Sequence, residues 1–183
     1  MDKRQGRKCS GCLFLWKMDA LTEKIPYIIR QADIKDIPFI VSLRMKLFRS
    51  FLQEDSYDFE KIAEFENNYF KNEMEKNQFA AWVAESDKGE AVGCAAVSFY
   101  GLPPKPWNLK GRYAYISGMY VEPEHQRKGI GKRLLQRALD YATEQGASHV
   151  TLHTTEKGIL LYQSLGFGNS NEMRLELFRE DQK

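Results

Sequence analysis

Apolar positions near the start of the chain follow strand-like and then helix-like spacing. The run YIIRQA at residues 27–32 predicts a short strand that stops at Asp33, a typical helix N-cap residue. Apolar residues then recur at helical spacing from Ile37 to Phe48. Pro38 lies past the position where proline fits best in a helix, so we expect this first helix to fray or bend there.

A second amphipathic pattern predicts a helix from Asp58 to about Asn77. Aromatic residues dominate its apolar stripe, and a stripe at helical spacing is typical of a core-facing surface rather than of a ligand site. We therefore expect the members of the stripe to pack in the core: Phe59, Ile62, Phe65, Tyr69 and Phe70.

Two apolar runs in the middle of the chain predict a β-hairpin. They are FAAWVAES at 79–86 and AVGCAAVSFY at 91–100, and a short polar turn that contains Asp87, Lys88 and Gly89 separates them. Cys94 lies within the second run, where we expect it to be a small buried residue.

The last third of the chain alternates strands with helices, which predicts parallel pairing in an α/β sheet. The run YAYISGMYV at 113–121 predicts a strand, and Gly118 in its interior indicates a bulge or a close backbone approach. The elements predicted after it are a helix from Ile130 that ends at Gly146, a strand at 149–154, a short helix at 156–165 and a closing strand at 173–178.

The composition indicates one globular domain. Of the 183 residues, 43% are hydrophobic and 28% are charged, and the formal net charge of +2 is too small to indicate a general nucleic-acid binder. No apolar run approaches the roughly 18 residues of a membrane-spanning helix, so we expect no membrane association. Three unevenly placed cysteines form no disulfide framework, and a reducing cytoplasm fits this usage best.

The N-terminal segment is expected to stand apart from the domain. Its cationic start is followed by only five apolar residues, Cys12 to Trp16, which is too short for the hydrophobic region of a signal peptide. Cys9 and Cys12 form a C-x-x-C pair, but the other ligands of a zinc site and the βαβ context of a redox site are missing nearby. We expect a flexible leader at 1–24 and a single domain at 25–183.

Two glycines lie in a basic bend between a strand and a helix, in the stretch VEPEHQRKGIGKRLLQRAL at 121–139. A helix N-terminus presents unpaired N–H groups and the positive end of the helix dipole to an anion. Gly129 and Gly131 would let the backbone approach that anion closely. Four cations add charge that suits a diphosphate better than a single carboxylate: Arg127, Lys128, Lys132 and Arg133.

The spacing in this bend excludes two common nucleotide-binding motifs. A P-loop would need a glycine in place of Gln126 and a hydroxyl residue in place of Arg133. The dinucleotide fingerprint G-x-G-x-x-G would need a glycine in place of Leu134. The pattern that remains is Q-x-x-G-x-G, which ends at Gly131.

At these residues the chain resembles the GNAT superfamily of acyl-CoA-dependent N-acyltransferases, whose phosphate-binding signature is [QR]-x-x-G-x-[GA] at the start of a helix. The segment LLYQSLGF at 160–167 is similar to the family's later L-Y-x-x-x-G-F segment. The resemblance covers roughly residues 28–177 and is strongest after Tyr113. It implies a mixed α/β fold with a mostly antiparallel central sheet, one parallel splayed pair and about four flanking helices.

The resemblance also implies that acetyl-CoA is the acyl donor and that no metal takes part. Two strands, at 113–121 and 149–154, would splay apart, and the free edge of the first would pair with the amides of pantetheine, much as a sheet edge pairs with a peptide. A backbone N–H near Met119 to Val121 would stabilise the oxyanion, and Tyr162 would protonate the leaving thiolate. The residues assigned to the donor are Met119, Tyr120, Val121, Gln126, Arg127, Lys128, Gly129, Ile130, Gly131, Lys132 and Thr155, the last standing where the family often has asparagine.

No residue stands out as the general base that would free the acceptor amine. Tyr115 and Ser117 occupy a strand in which some family members have histidines. Two glutamates at strand ends, Glu85 and Glu122, are candidates, although such residues are usually solvated charges. His149 and His153 would lie about 13 Å apart on one strand face, too far to bind one metal. We expect His153 in the core, with lining of the acceptor cleft as the alternative.

Two functions from different classes are compatible with these residues. The first is an N-acetyltransferase that moves an acetyl group from acetyl-CoA to a primary amine of a small molecule or a protein, by direct attack in a ternary complex. The second is a non-catalytic module that senses acyl-CoA, and the presence of Tyr162 favours the enzyme over it. The acidic residues at 54–60 could attract a cationic amine or simply cap a helix. The sequence is also compatible with assembly of the protein as a homodimer.

Overall fold

The computed structural model describes residues 26–52, 57–106 and 108–175. The predicted leader at 1–24, with Cys9 and Cys12, lies outside these ranges, as does the end of the predicted closing strand. Within them the elements follow the order β1, α1, α2, β2, β3, β4, α3, β5, α4. Their bounds are Tyr27–Gln31 for β1, Ile37–Arg49 for α1, Phe59–Glu75 for α2, Phe79–Ser86 for β2, Ala91–Gly101 for β3, Arg112–Val121 for β4, Ile130–Glu144 for α3, Val150–Thr151 for β5 and Ile159–Gln163 for α4.

The five strands form one sheet in the order β1-β2-β3-β4-β5. The first three neighbouring pairs are antiparallel, and β4 and β5 are parallel. This arrangement confirms the predicted mixed, mostly antiparallel sheet with a single parallel pair among the described strands.

Helices cover both faces of the sheet, which explains why the central strands read as continuous apolar runs. Alternate residues of β2 enter two different cores. Ala80 and Trp82 belong to the cluster that α3 completes, whereas Ala81 and Val83 belong to the cluster formed with α1 and α2. The site described below therefore lies on a strand framework that is buried on both sides.

The first helix begins later than the sequence predicts. Asp33 caps a single 3₁₀ turn, Ile34–Asp36, and the side chain of Asp36 accepts from the Asp33 backbone N–H in return. α1 then starts at Ile37, so Pro38 lies in its first turn, where the missing N–H costs no hydrogen bond. The later start accommodates the proline, and it replaces the fraying or bend that we expected.

The apolar stripe of α2 is only partly buried. Phe59 and Phe70 are buried as predicted, but 67% of the Phe65 surface and 52% of the Tyr69 surface is exposed, so the prediction for these two residues is wrong. Glu66 occupies an inward position instead. Hydrophobic periodicity cannot predict this, because a buried carboxylate depends on an oppositely charged residue elsewhere in the sequence.

Arg44 on α1 is that partner. Its guanidinium donates to the Glu66 carboxylate from both Nε and Nη2, with the Nη2 to Oε1 distance at 2.7 Å. It also lies over the rings of Phe48 and Phe70, 5.1 and 5.3 Å from their centroids. Only 14% of the Arg44 side chain and 15% of the Glu66 side chain is exposed, so this pair joins α1 to α2 in a largely dry environment.

We expect Glu66→Gln to lower the free energy of unfolding by about 2 kcal/mol, because it leaves the Arg44 charge without a counter-ion. Urea unfolding followed by circular dichroism measures the change. Glu73→Gln on the same helix is the matched control, since it breaks an exposed pair with Lys76 and should change stability less. Equal losses in the two variants would mean that the buried pair does not stabilise the fold.

The last elements are shorter than predicted. α3 begins at Ile130 and is followed by Gly146 at a φ of +74°, as expected for a helix C-terminus. β5, in contrast, has two residues because it leaves β4 after two pairs, and α4 spans five. Met173 to Leu175, the described part of the predicted closing strand, form no regular element. No helix in the part of the chain that the structure describes is long and apolar enough to cross a membrane.

Candidate active site

A β-bulge distorts β4 at Gly118. Cys94 pairs with Tyr120 and Ala96 pairs with Ser117, so β4 has two residues where β3 has one. Gly118 adopts a φ of +61°, a conformation that favours glycine. The bulge predicted from the interior glycine is therefore present.

Two side chains on the α1 and α2 side of the sheet contact the bulge. The Cys94 thiol donates to the Gly118 carbonyl over 3.1 Å, and a Cβ placed on Gly118 would lie 3.4 Å from Cγ of Arg44. Cys94 is fully buried, as predicted, and burial raises the pKa of its thiol to about 12. A thiol in this state remains protonated at neutral pH and is not a nucleophile.

The parallel strands β4 and β5 separate soon after they meet. Their register includes only the pairs Ala114–Val150 and Tyr115–Thr151, whereas β4 continues to Val121. On the β5 side, the stretch of β4 after Tyr115 has no partner strand in the described ranges. Apart from the Gly118 and Val121 carbonyls, which accept from the side chains of Cys94 and Gln126, the backbone groups along this edge are therefore open to an extended ligand that carries amides.

The bend after β4 has the backbone features of an anion-binding loop. The Gln126 side chain donates to the Val121 carbonyl over 2.9 Å, which fixes the bend to the end of the strand. Arg127 and Gly129 have φ values of +62° and +76°, and backbones of this kind turn neighbouring N–H groups toward a common point. Gly129 is the N-cap of α3 and no side chain caps that helix, so its first N–H groups can receive an anion.

Most of the residues that the sequence assigns to acyl-donor binding lie along the end of β4 and around the bend, and they differ in burial and packing. Ile130 is buried, so only its backbone is available to a ligand. Met119 and Val121 pack against the α3 core, whereas Tyr120 packs on the α1 and α2 side. Arg127, Lys128 and Lys132 are exposed around the bend.

Two of the basic residues have protein partners. Arg133 donates from Nη1 to the Tyr27 carbonyl over 3.0 Å, so it ties α3 to β1, a role the sequence did not indicate. Lys128 donates to the Tyr27 hydroxyl over 3.4 Å, and that hydroxyl also hydrogen-bonds Nδ1 of His125 at 2.8 Å. Lys128 and Arg133 therefore help to hold the bend and the start of α3 against β1.

Tyr162 lies on α4, which packs near the start of α3. A Cβ placed on Gly131 would lie 3.5 Å from Cδ2 of Leu161, the residue before Tyr162. The Tyr162 ring packs edge-on against Phe167, and its hydroxyl has no hydrogen-bond partner among the residues that the structure describes. Burial, with a smaller contribution from Tyr115, raises the pKa of Tyr162 above its usual value, so its hydroxyl is protonated at neutral pH.

Residues 41–167 match the model of the acetyltransferase (GNAT) family. The chain belongs to the GNAT family. A protein from Clostridium acetobutylicum described as a predicted acetyltransferase and crystallised with acetyl-CoA shares 32% identity, with a TM-score of 0.74 over 83% of this chain and 96% of that one. An aminoglycoside N-acetyltransferase solved with CoA is 18% identical, with a TM-score of 0.62 over 84% of this chain and 94% of that one, and so shares the fold.

Curated GNAT relatives match a shorter segment. N-acetyltransferase family 8 member 3 of Rattus norvegicus is 39% identical over 94 residues, which are 50% of this chain and 39% of the relative. Streptothricin acetyltransferase of Streptomyces lavendulae is 36% identical over 89 residues, which are 47% of this chain and 43% of the relative. The match thus spans less than half the length of each of these proteins.

Thr155 does not cap α4. The N-cap of α4 is Gly158, whose N–H donates to the Thr155 carbonyl over 2.9 Å, and the Thr154 hydroxyl donates to the same carbonyl. A Cβ on Gly158 would lie 2.9 Å from Cε2 of Tyr162, so a glycine is needed beneath the tyrosine ring. The predicted contact between Thr155 and the acyl donor stays a prediction.

Both candidate carboxylate bases of this GNAT chain are engaged in ion pairs. Glu85 accepts from Nε of Arg30 over 2.7 Å, and Glu122 is paired with Lys46, whose pKa it raises. Both carboxylates are therefore committed to ion pairs with side chains from other elements of the fold.

Tyr115 and His153 meet where β4 and β5 separate. The Tyr115 hydroxyl and Nδ1 of His153 are 2.7 Å apart. His153 is exposed, so the expectation that it lies in the core is wrong: β5 ends at Thr151, and His153 lies beyond the region where sheet and helices enclose the chain. The sequence did not indicate this pair, because its two members are 38 residues apart and meet only in the fold.

Tyr115, His153 and Tyr162 line an open cleft of about 1250 Å³ beside β5. The titratable and charged side chains in its wall are Tyr100, Tyr115, His149, His153, Tyr162, Glu172 and Arg174. Within the described residues, no three His, Cys, Asp or Glu side chains come together as metal ligands. The cleft thus offers hydroxyl and imidazole groups next to the gap between the strands.

Proposed function

We propose that this GNAT protein transfers an acetyl group from acetyl-CoA to a primary amine by direct attack within a ternary complex. One observation carries the proposal: the open edge of β4 runs from the bulge at Gly118 to the uncapped start of α3, and Tyr162 lies on the neighbouring helix α4. Along one extended thioester, the open edge of β4 would pair with the amides, the start of α3 would bind the diphosphate, and Tyr162 would contact the leaving sulfur.

The residues around the gap fit acetyl-CoA. The backbone from Met119 to Val121 would pair with the pantetheine amides, and the N–H groups at Gly129 to Gly131 would bind the diphosphate. Arg127 and Lys132 are exposed beside that point and would add charge. Thr155 and Lys128 complete the proposed donor site.

The chemistry follows from where charge develops during the reaction. Attack of the amine on the thioester carbonyl forms an oxyanion, which a backbone N–H between Met119 and Val121 would stabilise. Collapse of that intermediate breaks the C–S bond, and Tyr162 would give its proton to the sulfur. Cys94 is buried with a raised pKa, which argues against an acetylated cysteine intermediate at this site and favours direct transfer.

The class of acceptor is the finer part of the proposal. A structural neighbour is named as an aminoglycoside acetyltransferase and one relative as a streptothricin acetyltransferase, so amine-rich small molecules belong among the candidates. Protein amines belong there as well, because the cleft beside β5 is open on one side. We therefore propose a primary amine of either kind as the acceptor.

We expect amine-dependent release of CoA thiol when the protein is supplied with acetyl-CoA and a panel of amines. The panel contains polyamines, aminoglycosides, streptothricin, amino acids and lysine peptides, and thiol release is followed with a chromogenic disulfide. Mass spectrometry of the amine should show one added acetyl group. Tight binding of acetyl-CoA with no amine-dependent release across this panel would contradict the proposal and favour an acyl-CoA sensor.

A further inference from the structure

We infer that Tyr115 and His153 together take the proton from the acceptor amine before it attacks the thioester. The inference rests on the proposed function, because it assigns the proton acceptor of that reaction. Tyr115 is the group that touches the amine, and His153 acts through it.

The two residues lie at the mouth of the gap between the strands. Tyr115 belongs to the last register pair that joins β4 to β5, so the strands part immediately after it. It precedes the bulge at Gly118 by three residues, or about 10 Å along the strand at 3.3 Å per residue. His153 lies two residues beyond Thr151, the partner of Tyr115, and its Nδ1 is 2.7 Å from the Tyr115 hydroxyl. An amine that approaches the thioester from the cleft would pass this pair.

The hydrogen bond between them sets the direction in which a proton can move. Tyr115 can donate to Nδ1 of His153 over 2.7 Å when the imidazole carries its proton on Nε2. The exposed imidazole can then pass a proton to water. Tyr162 also lines the cleft, but no described residue accepts a hydrogen bond from its hydroxyl, so it has no route to pass on a proton taken from the amine.

Three of the other groups that could act as the base are committed elsewhere. Glu85 and Glu122 are held by Arg30 and Lys46. His149 also lines the cleft, but its Nδ1 hydrogen-bonds Ser148 and its ring stacks on Tyr113. Tyr115 and His153 are thus the described pair that combines a hydroxyl at the gap with an imidazole open to solvent.

The proton transfers balance as follows. The ammonium gives a proton to the Tyr115 oxygen while Tyr115 gives its own to Nδ1 of His153, which leaves a neutral amine and an imidazolium. The amine forms the C–N bond, the C–S bond breaks, and Tyr162 protonates the sulfur. The nitrogen loses its second proton to solvent, and both Tyr162 and His153 return to their starting states by exchange with solvent. One net proton is released for each acetyl group transferred.

The test compares Tyr115→Phe, His153→Gln and the double variant with wild type, using the best acceptor from the amine panel at pH 7. An exposed base competes with water, so we expect a loss of about 10-fold in kcat/KM, below the usual range of general base catalysis. The double variant should lose no more than either single variant, because the two residues act as one unit. His149→Gln is the matched control and should stay within about twofold of wild type.

Three further readouts separate proton transfer from a structural role. The acetyl-CoA affinity and thermal stability of the variants should match wild type. Added imidazole should restore most of the rate to His153→Ala and none to Tyr115→Phe, and the lost factor should shrink as the pH rises and the free amine becomes abundant. Wild-type activity with unchanged rates in both single variants, or without imidazole rescue, would overturn the inference alone. Absence of amine-dependent release by the wild type would overturn it together with the proposed function.

Discussion

Replacement of Gly129 by valine is expected to lower the affinity for acetyl-CoA by at least about 100-fold while the domain remains folded. Gly129 has a φ of +76° and is the N-cap of α3, a conformation that a β-branched residue can adopt only at a cost of roughly 1–2 kcal/mol. The bend would relax, and its N–H groups would no longer converge. A 100-fold loss corresponds to about 2.7 kcal/mol, comparable to one or two lost charge-assisted hydrogen bonds.

The matched control for Gly129→Val lies at the other end of the same helix. Gly146 follows α3 with a φ of +74°, and a Cβ there would meet only the Lys110 side chain, at 3.6 Å. Gly146→Val should therefore lose a similar amount of stability and keep its affinity within about twofold. Isothermal titration with acetyl-CoA measures both variants. Equal affinities of Gly129→Val and Gly146→Val for acetyl-CoA would mean that this bend does not bind the diphosphate.

Tyr162→Phe is expected to lower turnover by about 10- to 100-fold with little change in acetyl-CoA affinity or thermal stability. The substitution keeps the ring that packs on Phe167 and removes only a hydroxyl with no hydrogen-bond partner among the described residues. The effect lies at the low end of general acid catalysis, because a thiol with a pKa of roughly 8.5 is already a fair leaving group. Steady-state and single-turnover kinetics measure the loss.

The identity of the leaving group provides the control for Tyr162. An acyl donor with a more acidic thiol needs less help to depart, so the factor lost in Tyr162→Phe should shrink with such a donor. A factor that does not depend on the thiol would mean that the hydroxyl acts on something other than the sulfur. Full turnover of Tyr162→Phe under conditions where chemistry limits the rate would make Tyr162 a packing residue and solvent the acid.

Local signals in the sequence predicted the framework of the site. The apolar runs that became β2, β3 and β4 appear at the expected places because both faces of the sheet are buried, so hydrophobic pattern and structure agree. Gly118 and Gly129 were informative for a related reason. Each occupies a backbone conformation that favours glycine, and each stands beside a run with a clear period.

The errors arose where the outcome depends on a partner distant in sequence. Phe65 and Tyr69 fit the helical stripe, yet the inward position belongs to Glu66 because Arg44 reaches it from another helix. His153 reads as a strand residue, but β5 separates from β4 before reaching it. Hydrophobic periodicity shows which residues share one face of an element, but it does not show which residues on that face pack against another element.

The most direct test of the acetyl-transfer claim is a mass measurement on both components of one reaction. The protein is incubated with acetyl-CoA alone and then with the best amine of the panel, and the masses of protein and amine are recorded within a single turnover. Direct transfer predicts an unmodified protein before the amine is added and one acetyl group on the amine afterwards, at a rate equal to CoA release. An acetyl group on the protein that forms and decays at the rate of turnover, or an amine that stays unmodified while CoA is released, would contradict the account.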